Sequence, residues 1–352
     1  MKKAEELLLH IGQEKTGTTS LQWALKQKAH VLRERGILLP DMPPETGNAV
    51  LLAHSLFGHT EVSKGREIWL KMDRTEILRA ADRAWQDILE TVASDTPKSI
   101  LISSEVLFRP MSKAVITSAN QQIDQVAETS RIIAYLRAPD SHYLSNLQQA
   151  LKGLSTASQP SRTSARDTLL PLIKNWNGPV SLNVFDRKTL NGGDIISDFV
   201  KKYLPALDPA EINHRNFEIN TTHSTEAMAI LHDLTTHTLE WRFDPRALAV
   251  EVFKADRRLE QPTPPKLRDA TNAALLNWRA PDLFWMRDTQ GITFPGIDYG
   301  AIDENDFDGA HLEFDRIETI CTVNPARKAE LFRRAARRAR LPQKLRQLLY
   351  KY

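Results

Sequence analysis

The chain has 352 residues, of which 41% are apolar and 26% are charged. This composition is typical of a globular protein and excludes a disordered or fibrous chain, and the length suits one large α/β domain with appendages or two modest domains. The net charge of +3 is too small to indicate general nucleic-acid binding.

Strands and helices alternate along the first 203 residues. We predict buried strands at short apolar runs, and helices where apolar residues recur every three or four positions. This alternation predicts a mostly parallel sheet with helices on both faces, in which ligands bind at the carboxyl ends of the strands. In chain order the predicted elements are a strand at 7–11, a helix at 18–35, long helices within 66–92, strands at 99–103 and 132–136, a helix from residue 140, a strand at 180–185 and a helix at 194–203.

The regular alternation is lost towards the C-terminus. We therefore predict an α/β core at 1–240, with a helical insertion at 40–97, and a mostly helical C-terminal segment at 241–352. The Ser- and Thr-rich stretch 153–166 is predicted to be a loop or gate, and the Pro-rich stretch 261–265 a connector.

A glycine- and hydroxyl-rich loop, GQEKTGTTS at 12–20, follows the first predicted strand and opens a helix. A helix N-terminus offers unpaired N–H groups and a positive dipole end, and a glycine-bearing loop before it can wrap an anion closely. Lys15 adds a positive charge within this loop. The loop is a candidate phosphate site, and the alternative is an ordinary turn that caps the helix. Hydroxyl donors are supplied by Thr16, Thr18, Thr19 and Ser20.

The loop differs from the Walker A sequence of nucleoside triphosphatases. Gly12 and Gly17 have the Walker spacing, but Thr18 stands where that sequence requires lysine. The lysine lies inside the loop instead, as Lys15. This displacement argues against a Mg-ATP site.

A second candidate anion site follows the predicted strand at 132–136. Arg137 comes directly after the strand, where a guanidinium can hold a phosphate with two parallel hydrogen bonds. Pro139 follows it, and Ser145 lies in the second turn of the next helix. The alternative is a surface arginine and an unrelated helix serine. Two such motifs in this order, each after its own strand, are more specific than either alone.

These motifs resemble those of sulfotransferases that use 3′-phosphoadenylyl sulfate (PAPS). Lys15–Thr19 matches the family's 5′-phosphosulfate loop, K-[ST]-G-T-[TS], and Arg137 with Ser145 matches its 3′-phosphate motif. The resemblance implies a P-loop NTPase-like fold, a lysine on the leaving-group side of the sulfate, and hydroxyls and amides around the 5′-phosphate. Ser20 stands where many relatives have an adenine-stacking tryptophan, and Trp23 comes one turn later.

A general base is expected because the acceptor loses a proton as it attacks. Glu105 follows the strand at 99–103, and its place is similar to that of the glutamate base of carbohydrate-type members of the family. The alternative is that Glu105 caps the next turn or pairs with Arg137. Small-molecule and steroid members use a histidine, which makes His54 and His59 the other candidates.

The resemblance implies transfer of a sulfuryl group from PAPS to a hydroxyl or amine, without a metal. Lys15 would stabilise the leaving group and Glu105 would act as base. The glutamate indicates a carbohydrate-like acceptor, which we expect on the side of the insertion at 40–97. Two other functions stay open, a P-loop-type nucleotide kinase and a non-catalytic protein that binds PAPS or a glycan.

Basic residues concentrate near the C-terminus. From Pro325 to Tyr352, ten lysines and arginines stand against one acid, Glu330. The segment predicts a basic helix that attracts an anionic acceptor, PAPS or an anionic membrane surface, or else a solvated helix packed by one face.

The single cysteine and the hydropathy pattern favour a cytoplasmic location. Cys321 lies in an apolar patch, and a secreted protein of this size usually has disulfides. No apolar stretch is long enough to span a bilayer, and the apolar run at 7–9 is too short for a signal-peptide core. We predict a cytoplasmic protein without a transmembrane segment.

Overall fold

A single parallel sheet forms the frame of the first part of the chain. The computed structural model describes residues 2–41, 47–58, 62–156, 159–212, 222–236, 244–306, 308–309, 312 and 314–340. The sheet has five strands in the order β2-β3-β1-β4-β5, all parallel. This confirms the predicted α/β class with a parallel sheet. The strands are β1 (Ala4–His10), β2 (Ile37–Leu38), β3 (Ser99–Ser103), β4 (Ala127–Leu136) and β5 (Val180–Val184).

The central strands form where the sequence has continuous apolar runs. Leu7, Leu9 and Ile100–Ile102 are at most 2% exposed, because helices cover both faces of a parallel sheet. The register aligns the carboxyl ends of three strands, since His10 lies beside Ser103 of β3 and Ile133 of β4. The segments that follow these strands therefore lie along one edge of the sheet.

Two compact units are built from interleaved segments of the chain. Unit 1 comprises residues 1–138, 163–219 and 284–297, and unit 2 comprises 139–162, 220–283 and 298–352. Both units use residues from either side of position 240, and the boundary predicted there stays a prediction.

Helices surround the sheet in unit 1. The long helix α5 (Arg74–Asp95) begins with a capping box, in which Asp73 and Glu76 each accept a hydrogen bond from the other's backbone N–H. The helices of this unit are α1 (Thr18–Gln27), α2 (Ala29–Glu34), α3 (Val50–Leu56), α4 (Lys64–Leu70), α5 (Arg74–Asp95), α6 (Lys113–Ile123), α8 (Ser164–Asn175), α9 (Ile195–Tyr203) and α10 (Pro209–Ile212).

Three local features differ from the sequence predictions. The helix predicted at 18–35 is broken at Lys28, which leaves the helical region at φ −111° and ψ 20°. The strand β2 was not predicted; Gly36 turns the chain into it at φ 75°, a conformation that favours glycine. The loop predicted at 153–166 ends earlier, because α8 begins at Ser164.

Helices alone make up unit 2 among its described elements. Its core is a cluster of fully buried side chains that includes Leu147, Ile230 and Leu331. The C-terminal segment is mostly helical where it is described, as predicted. The helices are α7 (Pro139–Lys152), α11 (Thr225–Thr235), α12 (Pro245–Asp256), α13 (Asp269–Trp278), α14 (Ala280–Gln290, divided between the units), α15 (Ile317–Ile320) and α16 (Pro325–Ala339).

A buried charge network ties three of these helices together. Arg327 of α16 donates to Glu226 Oε2 at 2.9 Å, to Asp256 Oδ1 at 3.0 Å and to Ser224 Oγ at 2.8 Å. Burial alone would raise the pKa of Asp256, but hydrogen bonds from His223, Ser224 and Arg327 lower it to about 2. The carboxylate is therefore ionised at neutral pH and depends on its cation.

Within the described residues, no helix is both long and apolar enough to cross a membrane. The predicted cytoplasmic location stays a prediction.

Removal of the buried cation should destabilise unit 2. In Arg327→Ala, Glu226 and Asp256 would stay buried without their positive partner, which costs about 3–5 kcal/mol. Urea unfolding followed by circular dichroism measures this loss. The control is Arg337→Ala, on the exposed face of the same helix, which should change stability by less than about 0.5 kcal/mol. Equal effects of the two variants would contradict a structural role for the network.

Candidate functional site

The loop between β1 and α1 lies at a topological switch point of the sheet. From β1 the chain first builds β2 and β3 on one side, and then crosses to β4 and β5 on the other. Connections that leave in opposite directions open a crevice at the carboxyl ends of the strands, where α/β proteins bind ligands. The loop at 12–17 therefore occupies the position in this sheet best suited to a ligand.

Two left-handed residues shape this loop. Gly17, the N-cap of α1, has φ 78°, and Lys15 has φ 66°. The left-handed conformation is strained for a residue with a Cβ, and such strain is concentrated at functional sites. A Cβ at Gly17 would lie 3.0 Å from Ile195 Cγ2 and 3.2 Å from Phe185 Cε2, so the loop is also closely packed from outside.

The hydroxyls of Thr16 and Thr18 point into the loop. Thr16 is 1% exposed and donates to the carbonyl oxygen of Gln13 at 2.7 Å, while Thr18 is 2% exposed and lies 3.5 Å from Thr16 Oγ1. A Cβ at Gly12 would lie 2.1 Å from Thr18 Oγ1, so only glycine fits there. These two threonines, predicted from the sequence as anion donors, hold the shape of the loop.

The remaining predicted donors lie at the accessible side of the loop. Thr19 is exposed and Ser20 is half-buried. The N-cap, Gly17, has no side chain to accept hydrogen bonds from the first turn of α1. The N–H groups of that turn have no intrahelical partners and lie at the positive end of the helix dipole. Together they can hold an anion at this end of α1.

Arg137 forms two hydrogen bonds to the loop at 12–17. Its backbone N–H donates to Gln13 Oε1 at 2.8 Å, and its guanidinium Nη1 donates to the carbonyl oxygen of Lys15 at 2.9 Å. The guanidinium carbon also lies 5.8 Å from the ring centre of Phe185, within range of a cation–π interaction. The structure therefore brings Arg137 into contact with the loop, whose Lys15 lies 122 residues earlier in the sequence.

Glu105 lies at the same edge, in the turn after β3. Burial raises the pKa of its carboxyl, and the nearby charge of Glu14 raises it further, while Lys15 and Arg66 oppose the shift. Burial in turn lowers the pKa of Lys15, which Glu105 and Glu14 oppose. A carboxyl with a raised pKa beside a lysine is the kind of acid–base pair found at active sites.

One arginine near this carboxyl, Arg66, was not predicted from the sequence, and a second, Arg109, lies near Arg66. Arg66 of α4 is half-buried; burial lowers its pKa, the charge of Glu105 opposes this shift, and Arg109 adds to it. Arg66 therefore lies within electrostatic range of Glu105, and Arg109 lies within electrostatic range of Arg66. They follow no recognisable motif, and the only signal was the position of Arg66 inside the helical insertion.

Three of the other candidates, His54, His59 and Ser145, stay predictions. His54 is 1% exposed in α3, a helix in which every residue is buried. His59 lies outside the described residues. Ser145 is half-buried on α7 of unit 2, and its pairing with Arg137 stays a prediction. His54 likewise stays a prediction as a base, although its burial does not favour contact with an incoming acceptor.

The chain matches none of the known protein-family models, and a search of functionally curated proteins also finds no match.

Alanine at Gly12 should disturb the loop. The new Cβ would overlap Thr18 Oγ1, and overpacking of this kind costs about 1–3 kcal/mol. Thermal unfolding measures the loss. Gly65→Ala in α4 is the matched control, since the nearest atom to its Cβ is 3.8 Å away and alanine favours a helix. Thr18→Ala should restore stability to the Gly12→Ala variant, and a purely additive loss in the double variant would contradict this packing.

Proposed function

We propose that this protein is a PAPS-dependent sulfotransferase with a P-loop NTPase-like fold. The observation that carries the proposal is the direct bonding of Arg137 to the K-T-G-T-T loop at the switch point of a parallel sheet. Arg137, the first residue of one motif, thus contacts the loop that forms the other motif. The displaced lysine of the loop favours this family over Mg-ATP enzymes.

The donor set fits the anionic groups of PAPS. The 5′-phosphosulfate requires several N–H and O–H donors around one anion, which the first turn of α1, Thr19 and Ser20 can supply. The 3′-phosphate requires a second cation at a short distance, and a guanidinium is suited to it because it offers five donors. One of these donors already holds the loop carbonyl of Lys15, which keeps the guanidinium in place.

PAPS, when bound, supplies a sulfuryl group activated by a phosphosulfate anhydride. In the proposed reaction the acceptor oxygen forms a bond to sulfur as the bond from sulfur to the bridging oxygen breaks. Glu105 accepts the proton of the acceptor hydroxyl, and Lys15 stabilises the negative charge on the bridging oxygen. The products are a sulfate monoester and adenosine 3′,5′-bisphosphate, and this scheme assigns no step to a metal.

A carbohydrate-like hydroxyl is the acceptor that we propose. Its first support is the resemblance of Glu105 to the base of carbohydrate-type sulfotransferases. Its second support is Trp69, which is 43% exposed and has the guanidinium carbon of Arg66 5.1 Å from its ring centre. Because Arg66 is also in electrostatic range of Glu105, an exposed aromatic surface lies in the same part of unit 1 as the proposed base.

Binding of the reaction product tests the donor site. Isothermal titration calorimetry without magnesium should give a micromolar Kd for adenosine 3′,5′-bisphosphate. Arg137→Ala and Lys15→Ala should each weaken binding by about 10- to 100-fold, because each removes a hydrogen bond to a charged group.

Arg131→Ala is the control for this measurement. Arg131 lies on β4, the strand that ends directly before Arg137. Its guanidinium pairs with the carboxylate of Glu6 at 3.1 Å. Binding should be unchanged in this variant. If the wild type binds Mg-ATP and not the bisphosphate, the protein is a nucleotide kinase and the proposal is wrong.

The proposed base makes a separate prediction. Transfer of ³⁵S-sulfate from labelled PAPS to a panel of neutral and acidic oligosaccharides should identify an acceptor. With that acceptor, Glu105→Gln should lower kcat by about 10²- to 10⁴-fold. Since burial raises the pKa of Glu105, the wild-type rate should fall with decreasing pH at a value above 4.5, the ordinary pKa of the carboxyl.

Two measurements separate loss of the base from loss of the fold. Glu105→Gln should bind the bisphosphate as the wild type does, and its thermal midpoint should not fall, because the substitution removes a partly buried charge. Full activity in this variant would transfer the role of base to another residue.

A further inference from the structure

The residue before Glu105 is held at the carboxyl end of β3. The backbone N–H of Ser104 donates to the carbonyl oxygen of His10 at 3.0 Å, so the contact between β3 and β1 continues up to the residue that precedes Glu105. Ser104 is 0% exposed. Glu105 then opens a short 3₁₀ turn, Glu105–Leu107. The path of the chain into this turn is therefore set by the contacts that Ser104 makes.

The hydroxyl of Ser104 bonds to a distant segment of the chain. Ser104 occupies the N-cap position of the turn, where a serine hydroxyl ordinarily accepts a hydrogen bond from a backbone N–H two or three residues later. Among the described residues, no N–H of the turn forms this bond. The hydroxyl instead donates to Asn48 Oδ1 at 2.8 Å. Both side chains are at most 5% exposed, so the bond is shielded from water.

The segment 47–49 is packed closely against both α1 and β3. Gly47 has φ 80°, and a Cβ there would lie 2.6 Å from the carbonyl oxygen of Gln22 in α1. Only glycine permits this approach of two backbones. The N–H of Ala49 donates to the carbonyl oxygen of Ser103 at 2.9 Å. The asparagine between Gly47 and Ala49 is thus fixed on both sides.

A buried helix supports this asparagine from behind. The helix α3 begins at Val50, two residues after Asn48, and all of its residues are buried. Close packing of this kind leaves a helix little freedom to shift. A bond between two neutral buried side chains adds little net stability, because both groups give up hydrogen bonds to water. Its main effect is to fix the geometry of the groups that it joins.

The surroundings of Glu105 make its position important. Charges from two separate parts of unit 1 act on its carboxyl: Glu14 and Lys15 belong to the loop after β1, and Arg66 belongs to α4. A small movement of the turn would change the distance from the carboxyl to all three. A displacement of a catalytic group by about 1 Å can lower a rate by about 10²-fold.

We propose that the hydrogen bond between Asn48 and Ser104 positions the carboxylate of Glu105 for proton transfer. Asn48 and Ser104 are then positioning residues, which act on the reaction only through Glu105. This inference rests on the proposed sulfotransferase function. It adds a residue from the predicted helical insertion to the machinery of the proposed base.

Kinetics of single and double variants of the full-length chain test the proposal. With labelled PAPS and the acceptor found in the oligosaccharide panel, Asn48→Ala and Ser104→Ala should each lower kcat by about 10- to 100-fold. KM for PAPS should change by less than about twofold. Ser104→Ala removes a single oxygen atom and therefore disturbs packing least.

The same substitutions in the Glu105→Gln background separate positioning from a general structural effect. There, Asn48→Ala and Ser104→Ala should each lower kcat by less than about twofold, because no carboxylate remains to be positioned. A loss by the same factor in both backgrounds would overturn the proposal.

The matched control is Asn120→Ala. Asn120 is also 5% exposed, and its side chain donates to the carbonyl oxygen of Asn175 at 2.8 Å. It lies near the end of α6 and bonds to the segment before β5, at the opposite edge of the sheet. This variant should have a lower thermal midpoint and an unchanged kcat. A loss of kcat comparable to that of Asn48→Ala would contradict the proposal.

A titration that needs no activity distinguishes this inference from the sulfotransferase function. The carboxyl of Glu105 is followed by ¹³C NMR of protein labelled at glutamate Cδ, and Glu105→Gln identifies its signal. Burial raises the pKa of this carboxyl in the wild type, and in Asn48→Ala the pKa should fall towards 4.5 as water reaches the loosened turn. If the pKa falls in a protein that transfers no sulfate, the positioning stands and the sulfotransferase function is wrong. If the pKa is unchanged in a protein that does transfer sulfate, the positioning is wrong.

Discussion

The two hydrogen bonds between Arg137 and the loop after β1 are the interaction on which the proposed site depends. Parallel strands bring their carboxyl ends to one edge, but they do not by themselves fix the side chains beyond that edge. Here the backbone N–H and the guanidinium of Arg137 both bond to the loop, through Gln13 Oε1 and the carbonyl oxygen of Lys15. Because the carbonyl of Lys15 is turned to meet the arginine, the left-handed conformation of this residue is part of the same arrangement.

Charge balance is the second constraint at this edge of the sheet. Glu105 is a partly buried carboxyl that would be costly to ionise alone, and Lys15 and Arg66 offset that cost. Glu14 works in the opposite direction, since its charge makes ionisation of Glu105 harder. The site thus holds a carboxyl whose affinity for a proton is adjustable by its neighbours, which is what proton transfer at moderate pH requires.

Much of the sheet could be predicted from the sequence, because buried parallel strands are continuous apolar runs. The strand predicted at 99–103 coincides with β3, and the loop at 12–20 lies directly before and within α1 as expected. The break at Lys28 and the two-residue strand β2 could not be predicted, since both are set by tertiary packing. Arg66 was missed for the same reason: the fold brings it to Glu105 from a separate helix.

The four loop hydroxyls differ in burial, and the sequence motif does not distinguish between them. A sequence motif treats Thr16, Thr18, Thr19 and Ser20 as equivalent donors, whereas packing divides them into two buried and two accessible groups. This division follows from Gly12, whose missing side chain leaves the space that Thr18 Oγ1 fills. Only three-dimensional contacts reveal which hydroxyls serve the fold.

The interleaving of the two units has a consequence for synthesis on the ribosome. All five strands have been synthesised once Val184 is made, so the sheet can form before the rest of the chain is complete. The helix α7 is made before β5, but its packing partners α11 and α13 follow only after residue 224. Until then the apolar side chains of Leu147 and Leu151 lack the core that later buries them. A nascent chain of intermediate length would expose the apolar side of this helix. A chaperone that binds exposed apolar segments would therefore bind the nascent chain at α7.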